Sequence, residues 1–199
     1  MTTTAELLAA VPALAGVEPV TRVTLPARLD YTYTPGGAQS RFLRALTERR
    51  LLAERCPSCT RVYIPARGVC PTCGIATTEQ LDLPHIGTVT TFCIVNFAAR
   101  GLDVEVPYCY AYVLLDGAHV GLHARIGGVS LGDSSKGGGG RPEGGIPHDQ
   151  VHVGQRVEPV WREQSGPDGP DVRPSLAAIS HFRPTGGPDA DPETYRRWM

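Results

Sequence analysis

Four cysteines carry the most definite chemistry in the chain. Cys56-Pro57-Ser58-Cys59 and Cys70-Pro71-Thr72-Cys73-Gly74 are two C-x2-C pairs with ten residues between them. Each pair sets two thiolates on one tight turn. Two such turns facing each other complete the tetrahedron that Zn²⁺ accepts, with sulfurs at about 2.3 Å. Four sulfurs close the shell, so the centre is structural, since a catalytic zinc keeps one position open. Gly74 permits the positive φ that lets N–H groups turn toward sulfur, whereas Thr60 holds the equivalent place in the first turn and suits it less. Iron on the same thiolates is an alternative. A pair of disulfides is another, although a reducing compartment works against it.

No other group of residues forms a catalytic set. Cys93 and Cys109 sit in strand-like surroundings with no base beside them, which suits small buried hydrophobes better than nucleophiles. His119 and His123 are four apart in a stretch read as a strand, hence on one face, yet no Glu or Cys accompanies them. His85, His148, His152 and His181 form no motif, and there is no nucleophile elbow, Rossmann glycine pattern or paired-carboxylate motif. Gly137 to Gly140 do not make a phosphate loop, because Lys136 precedes the glycines and Pro142 and Pro147 oppose a following helix. Charge is uneven in one place: Arg41, Arg44, Arg49, Arg50, Arg55, Arg61 and Arg67 face only Glu48 and Glu54. Guanidinium forks match phosphate or carboxylate, so contact with an anionic ligand or an acidic partner competes with a solvated helix face.

The elements that must hold these residues follow from periodicity. Residues 1–37 read as a short amphipathic helix, with Thr3 and Glu6 at capping-box spacing, followed by an extended arm. Residues 38–55 read as a helix with Ser40 as N-cap and an approximate stripe of Phe42, Leu43, Leu46 and Leu51. The cysteine ribbon spans 56–80. From there the pattern alternates, giving strands at 87–97, over 108–126, at 156–163 and at 174–182. Asp116-Gly117 between two apolar stretches signals a hairpin with a type I′ turn. About five antiparallel strands suffice for a small closed or nearly closed barrel over 81–182. Residues 127–149, rich in glycine, read as a flexible surface loop, and 183–199 as a tail whose Tyr195-Arg196-Arg197-Trp198 end resembles an interface anchor.

The 199 residues suit one domain plus a small appendage, and 41% hydrophobic with 20% charged residues is enough to bury a core. Glycine (23) and proline (18) are abundant, pointing to short elements and many turns. A net charge of −1 and a single lysine give no electrostatic footprint for nucleic acid or an anionic membrane. No apolar run reaches the roughly 20 residues of a membrane span. The opening Leu/Ala run lacks a basic n-region and contains Glu6 and Pro12, so a cytoplasmic location is expected rather than export.

The order helix, four-cysteine ribbon, small barrel resembles the DUF35 family over about residues 38–182. The resemblance rests on the Phe42–Glu54 segment leading into RCPSC and on VYIPARGVCPTCG, with IGTVTTFCIVNF and VPYCYAYVLLDGAHVGLHARI. Thr60, the insertion at 127–149 and residues 1–37 depart from it. The resemblance implies a mainly β chain with N-terminal helices, a rubredoxin-like zinc ribbon on Cys56, Cys59, Cys70 and Cys73, and a five-stranded OB-fold barrel. It implies an accessory subunit with no catalytic residues of its own, paired with a thiolase-superfamily enzyme acting on acyl-CoA thioesters. The arm and VYIPARGVCPTCG look most like partners of the lipid-transfer-protein-like aldolases that shorten steroid side chains, here in an α2β2 hetero-oligomer. CoA would be a ligand shared with the partner. Arg44, Arg49, Arg50, Arg61, Arg67 and Trp198 are the candidates for contacting CoA or the partner, with reversal of Arg49 and Arg50 as the test. Single-stranded nucleic-acid binding, common to OB-folds and zinc ribbons, and a self-sufficient CoA hydrolase or transferase are the rival readings.

Overall fold

The computed structural model describes residue 23 and residues 32–97, 105–129, 131, 150–163 and 174–198. The chain divides into two units, Met1–Thr34 and Pro35–Met199. The helix and most of the arm expected over 1–37, most of the glycine-rich loop and His148 lie outside the described residues.

Helix α1 is shorter than its sequence suggests. It spans Gly37–Thr47, and the following Leu51–Arg55 is strand β1. Ser40 is not its N-cap. Gly36 holds that place without a side-chain bond, while Ser40 Oγ donates to the Pro35 carbonyl at 3.2 Å. The helix stops because Arg49 adopts φ 56°, so that the Arg49 and Arg50 N–H groups donate back to the carbonyls of Leu46 and Ala45. That is the Schellman arrangement, normally announced by glycine. Arginine in its place leaves the stop invisible in sequence, and Leu51 continues a helical stripe only by accident. The helix still buries Phe42, Ala45 and Leu46.

Strand β1 is the centre of a three-stranded antiparallel sheet, with β2 (Val62–Tyr63) on one side and β3 (Glu79–Leu83) on the other. Leu51, Leu52, Ala53 and Glu54 are all buried, so β1 has no polar face and therefore no alternation to read.

The barrel is closed in the order β4-β5-β6-β8-β7, where β4 is Gly87–Val95, β5 Tyr108–Leu115, β6 Leu122–Ile126, β7 Arg156–Trp161 and β8 Ile179–Pro184. Four of its seams are antiparallel. The fifth, between β6 and β8, is parallel at Ile126 and Phe182, because the last strand enters between the third and fourth instead of following its neighbour in sequence. Gly87 lies where β4 passes between β5 and β7. A Cβ there would meet the Leu114 carbonyl oxygen at 2.8 Å, so only glycine allows that approach. The β5–β6 connection is a six-residue loop rather than a type I′ turn, since only Gly117 has positive φ. Asp116 is held there by a two-pronged bond from Arg156 (2.8 and 2.6 Å), which also donates to Thr88 Oγ1.

One apolar core runs through all these elements. It joins Phe42 and Leu46 of α1, Leu51 and Ala53 of β1 and Ile64 after β2 to Val89, Val113, Val157 and Phe182 of the barrel. Ribbon and barrel are thus two parts of one packed body. The C-terminal segment closes over it. Asp191 caps helix α2 (Pro192–Tyr195), the Ala190 N–H donates to the Gly154 carbonyl, and Tyr195 is buried. His152, also buried, has its Nε2 at 2.9 Å from Asp189 Oδ1.

Candidate metal centre and its supports

The two cysteine turns are built alike. In the first, Cys56 N–H takes the Arg61 carbonyl and Thr60 N–H the Cys56 carbonyl; in the second, Cys70 N–H takes the Ile75 carbonyl and Gly74 N–H the Cys70 carbonyl. The matching positions Thr60 and Gly74 both have positive φ, at 60° and 70°. A β-branched residue is strained in that conformation. Thr60→Gly should therefore stabilise the protein by about 1 kcal/mol, read as a rise in the urea midpoint at unchanged slope; a fall in midpoint would count against strain at this turn.

These turns bring the four Sγ atoms of Cys56, Cys59, Cys70 and Cys73 within 4.8 Å of one another. Cys59 and Cys70 sulfurs are 3.7 Å apart. That is far beyond a disulfide bond and matches the edge, about 3.8 Å, of a tetrahedron with 2.3 Å arms. The Tyr63 hydroxyl lies 3.3 Å from Cys70 Sγ, and Cys59 N–H points at Cys56 Sγ at 3.5 Å. The hydrogen bond from Tyr63 brings the Cys70 thiol down to about 6. Its neighbour Cys73 is pushed up to about 12, first by its hydrogen bond with Cys59 and then by burial. Without a cation the four sulfurs cannot share negative charge, and a divalent ion removes the conflict. The donor set fits a structural zinc, with Zn²⁺ supplying charge and four directed bonds and leaving no open position.

A buried carboxylate that sequence reading did not single out braces the site. Glu54, on β1 one residue before Arg55-Cys56, is fully buried. It accepts from Arg41 Nη2 at 2.6 Å, from the Gly68 N–H at 2.9 Å and from Thr77 Oγ1 at 2.7 Å. Burial alone would push its carboxyl up; the bonds from Arg41, Thr77 and Gly68 outweigh that and hold it below the usual range. Glu54 thus ties α1 to the segments on either side of the second cysteine turn. Its signal in sequence was faint: one acid inside an apolar run.

On the barrel side, the β5–β6 loop holds the ribbon. The His119 N–H donates to the Val62 carbonyl, and the Val62 N–H donates to His119 Nδ1 at 3.1 Å. Burial, then Arg197, Arg61 and Arg55, lower the His119 pKa, which preserves Nδ1 as an acceptor. The His119 ring meets Trp198 edge-on at 4.6 Å, and Arg61 lies 6.0 Å above the Trp198 ring. The two histidines expected on one strand face do different jobs, because residue 119 lies in the loop. His123, on β6, stacks on Tyr110 at 4.9 Å.

The expected arginine contacts are divided among local partners. Arg50 binds Glu48 and Asp82, Arg55 binds Glu79, Arg61 donates to Thr72, and Arg67 lies over the Tyr63 ring. Arg44 and Arg49 are exposed and have no ion pair among the described residues. Cys93 is exposed on β4; Cys109 is buried, and burial pushes its thiol up to about 11. Tyr110 and Tyr112 are exposed on β5 beside half-buried Tyr108, a row the sequence left unmarked because its alternation read as ordinary strand.

No helix among the described residues is long and apolar enough to cross a membrane. Two family models match in order: the rubredoxin-like zinc ribbon domain of ChsH2 over residues 44–79, and the C-terminal OB-fold domain of ChsH2 over residues 81–162. A chain of the Ltp2-ChsH2(DUF35) aldolase shares the fold, with TM-score 0.50 and 20% identity, covering 77% of this chain and 98% of that one. A DUF35 protein of unknown function from Sulfolobus solfataricus gives TM-score 0.47 at 18% identity, over 63% of this chain and 78% of that one. A DUF35 domain-containing scaffold protein of Methanocaldococcus jannaschii is 32% identical over 133 residues, 65% of this chain and 82% of the relative. That likeness, with ribbon and barrel in the same order, makes this chain a member of the DUF35 family.

Proposed function

We propose that this chain is the non-catalytic accessory subunit of a thiolase-superfamily enzyme acting on acyl-CoA thioesters: a retro-aldolase that cleaves steroid side-chain acyl-CoA, assembled as an α2β2 heterotetramer. The observation that carries this reading is kinship with a protein named as a scaffold, matched over 82% of its length. The geometry supports it. A metal-clamped ribbon sharing one core with a closed barrel presents preformed surface, so docking orders few groups and loses little entropy. Arg44, Arg49, Arg67 and the rim pair Arg61–Trp198 are the side chains we assign to the partner face or to CoA phosphates; Arg50 is already engaged by Glu48 and Asp82. A nucleic-acid reading would draw on the tyrosine row of β5, but single-strand binding needs a track of cations, and only Arg125 lies over that row among the described residues.

Co-expression of the full chain with the thiolase-like protein encoded nearest its gene tests the reading. The two should co-elute at the mass of two copies of each, with thioester cleavage confined to the complex. Arg44→Glu with Arg67→Glu should weaken assembly or CoA binding at least tenfold. Separate elution, or turnover of an acyl-CoA by this chain alone, would overturn the assignment.

A further inference from the structure

We infer that the hollow between α1, β6 and β8 is a binding site for a small amphipathic anion, a hydrocarbon body carrying a carboxylate or phosphate head. This inference concerns the chain by itself and does not depend on the proposed partner.

The hollow has a volume of about 380 Å³, within the range of small-ligand sites. Its floor is the main core itself, lined by the buried side chains Phe42, Leu122 and Phe182. Leu176, on the one-turn helix at its mouth, is 59% exposed, an apolar side chain with nothing over it among the described residues. A hydrocarbon seated in the hollow would cover Leu176 and take its surface out of water. A second hollow of about 350 Å³ shares Arg125, Ser180 and His181 with the first, so polar groups stand where the two meet.

Charge decides which hydrocarbon. Neither lining contains an Asp or a Glu, while Arg125 and Arg162 both line the first hollow. Arg41, Arg50, Arg55, Arg156 and Arg183 each hold a carboxylate; Arg125 and Arg162 hold none among the described residues. Arg125 instead lies against the Tyr108 ring, 5.9 Å from its centre. Burial, with Arg125 and Arg183 nearby, lowers the His181 pKa, so the positive charge of the site rests on the two arginines. Gly127 makes room for that histidine, since a Cβ there would stand 2.5 Å from His181 Cδ2. Two unpaired guanidiniums above an apolar floor complement a ligand that is anionic at one end and oily at the other.

Titration calorimetry of the zinc-loaded full chain tests this with three probes below their micelle concentrations: decanoate, decyl phosphate and 1-decanol. At least one anion should bind saturably, tenfold or more tighter than decanol, and the tighter of the two anions identifies the head group. Arg125→Gln with Arg162→Gln should erase that preference and leave decanol binding as it was. Leu176→Asp, at an exposed position that the fold does not need, should weaken all three. Equal affinity for anion and alcohol, an anion preference that survives the double substitution, or no binding by any probe would overturn the inference.

Discussion

Cys70→Ser, or removal of the metal by a strong chelator, should melt the ribbon and take the barrel with it. A two-residue strand and two five-residue strands cannot hold a sheet unaided. Four metal–sulfur bonds do that work, and in small domains such a centre contributes on the order of 10 kcal/mol, comparable with the whole stability of a typical protein. Because Leu51, Ala53 and Ile64 belong to the same core as Val89 and Phe182, loss of the ribbon opens one side of the barrel core to water. Unfolding should accordingly remain a single transition, shifted down by 15 °C or more, instead of splitting into a ribbon step and a barrel step. Trp198, seated on His119 and Arg61, reports the ribbon, and Trp161, on β7, reports the barrel; single-tryptophan variants read the two separately. Cys93→Ser, at an exposed position, should change stability by less than about 0.5 kcal/mol. A barrel that keeps its melting temperature after metal loss would show that the shared core is a contact and not a dependence.

What the sequence makes legible is whatever depends on residue type at fixed spacing. The cysteine pairs, their common centre and the β-rich second half are of this kind, since thiolate geometry and two-residue alternation are local properties. The stop of α1 is not, because Arg49 takes the left-handed conformation that glycine usually signals. Strand β1 is hidden for another reason: buried on both sides, Leu51 to Glu54 present no alternation, and an apolar run after a helix reads as more helix. The β5–β6 connection departs from a type I′ turn for a tertiary reason. Arg156 seizes Asp116, and His119 reaches across to Val62, so the loop is shaped by partners 40 and 57 residues away. The arginines likewise look like one basic patch in sequence, and the fold distributes most of them to separate acids and rings.

Glu54 is where the second large effect is expected, because there a charge has been taken fully out of water. Its three donors come from α1, from the loop before Cys70 and from Thr77 just after Cys73, so it fixes the second cysteine turn against the helix. Glu54→Ala should cost about 3 kcal/mol, since it strands the buried Thr77 hydroxyl and the Gly68 N–H together. Arg41→Ala should cost less, about 1 kcal/mol, because the guanidinium is 43% exposed and water screens its half of the pair. The pH dependence separates charge from packing. The folded carboxyl lies below its unfolded value of about 4.3, so its stabilisation is complete above that value and disappears as pH falls through the lower, folded one. Urea melts of the wild type and Glu54→Gln at pH 7, 5 and 4 should therefore show a constant gap at the two higher values and the start of its closure at the lowest. Acid also loosens the thiolates from zinc, but it does so in both proteins, and the difference between them isolates Glu54. A gap that widens between pH 7 and 5 would mean that burial wins over the three donors and that the brace is a neutral acid, because a carboxyl raised by folding gains stability as pH falls through its folded value.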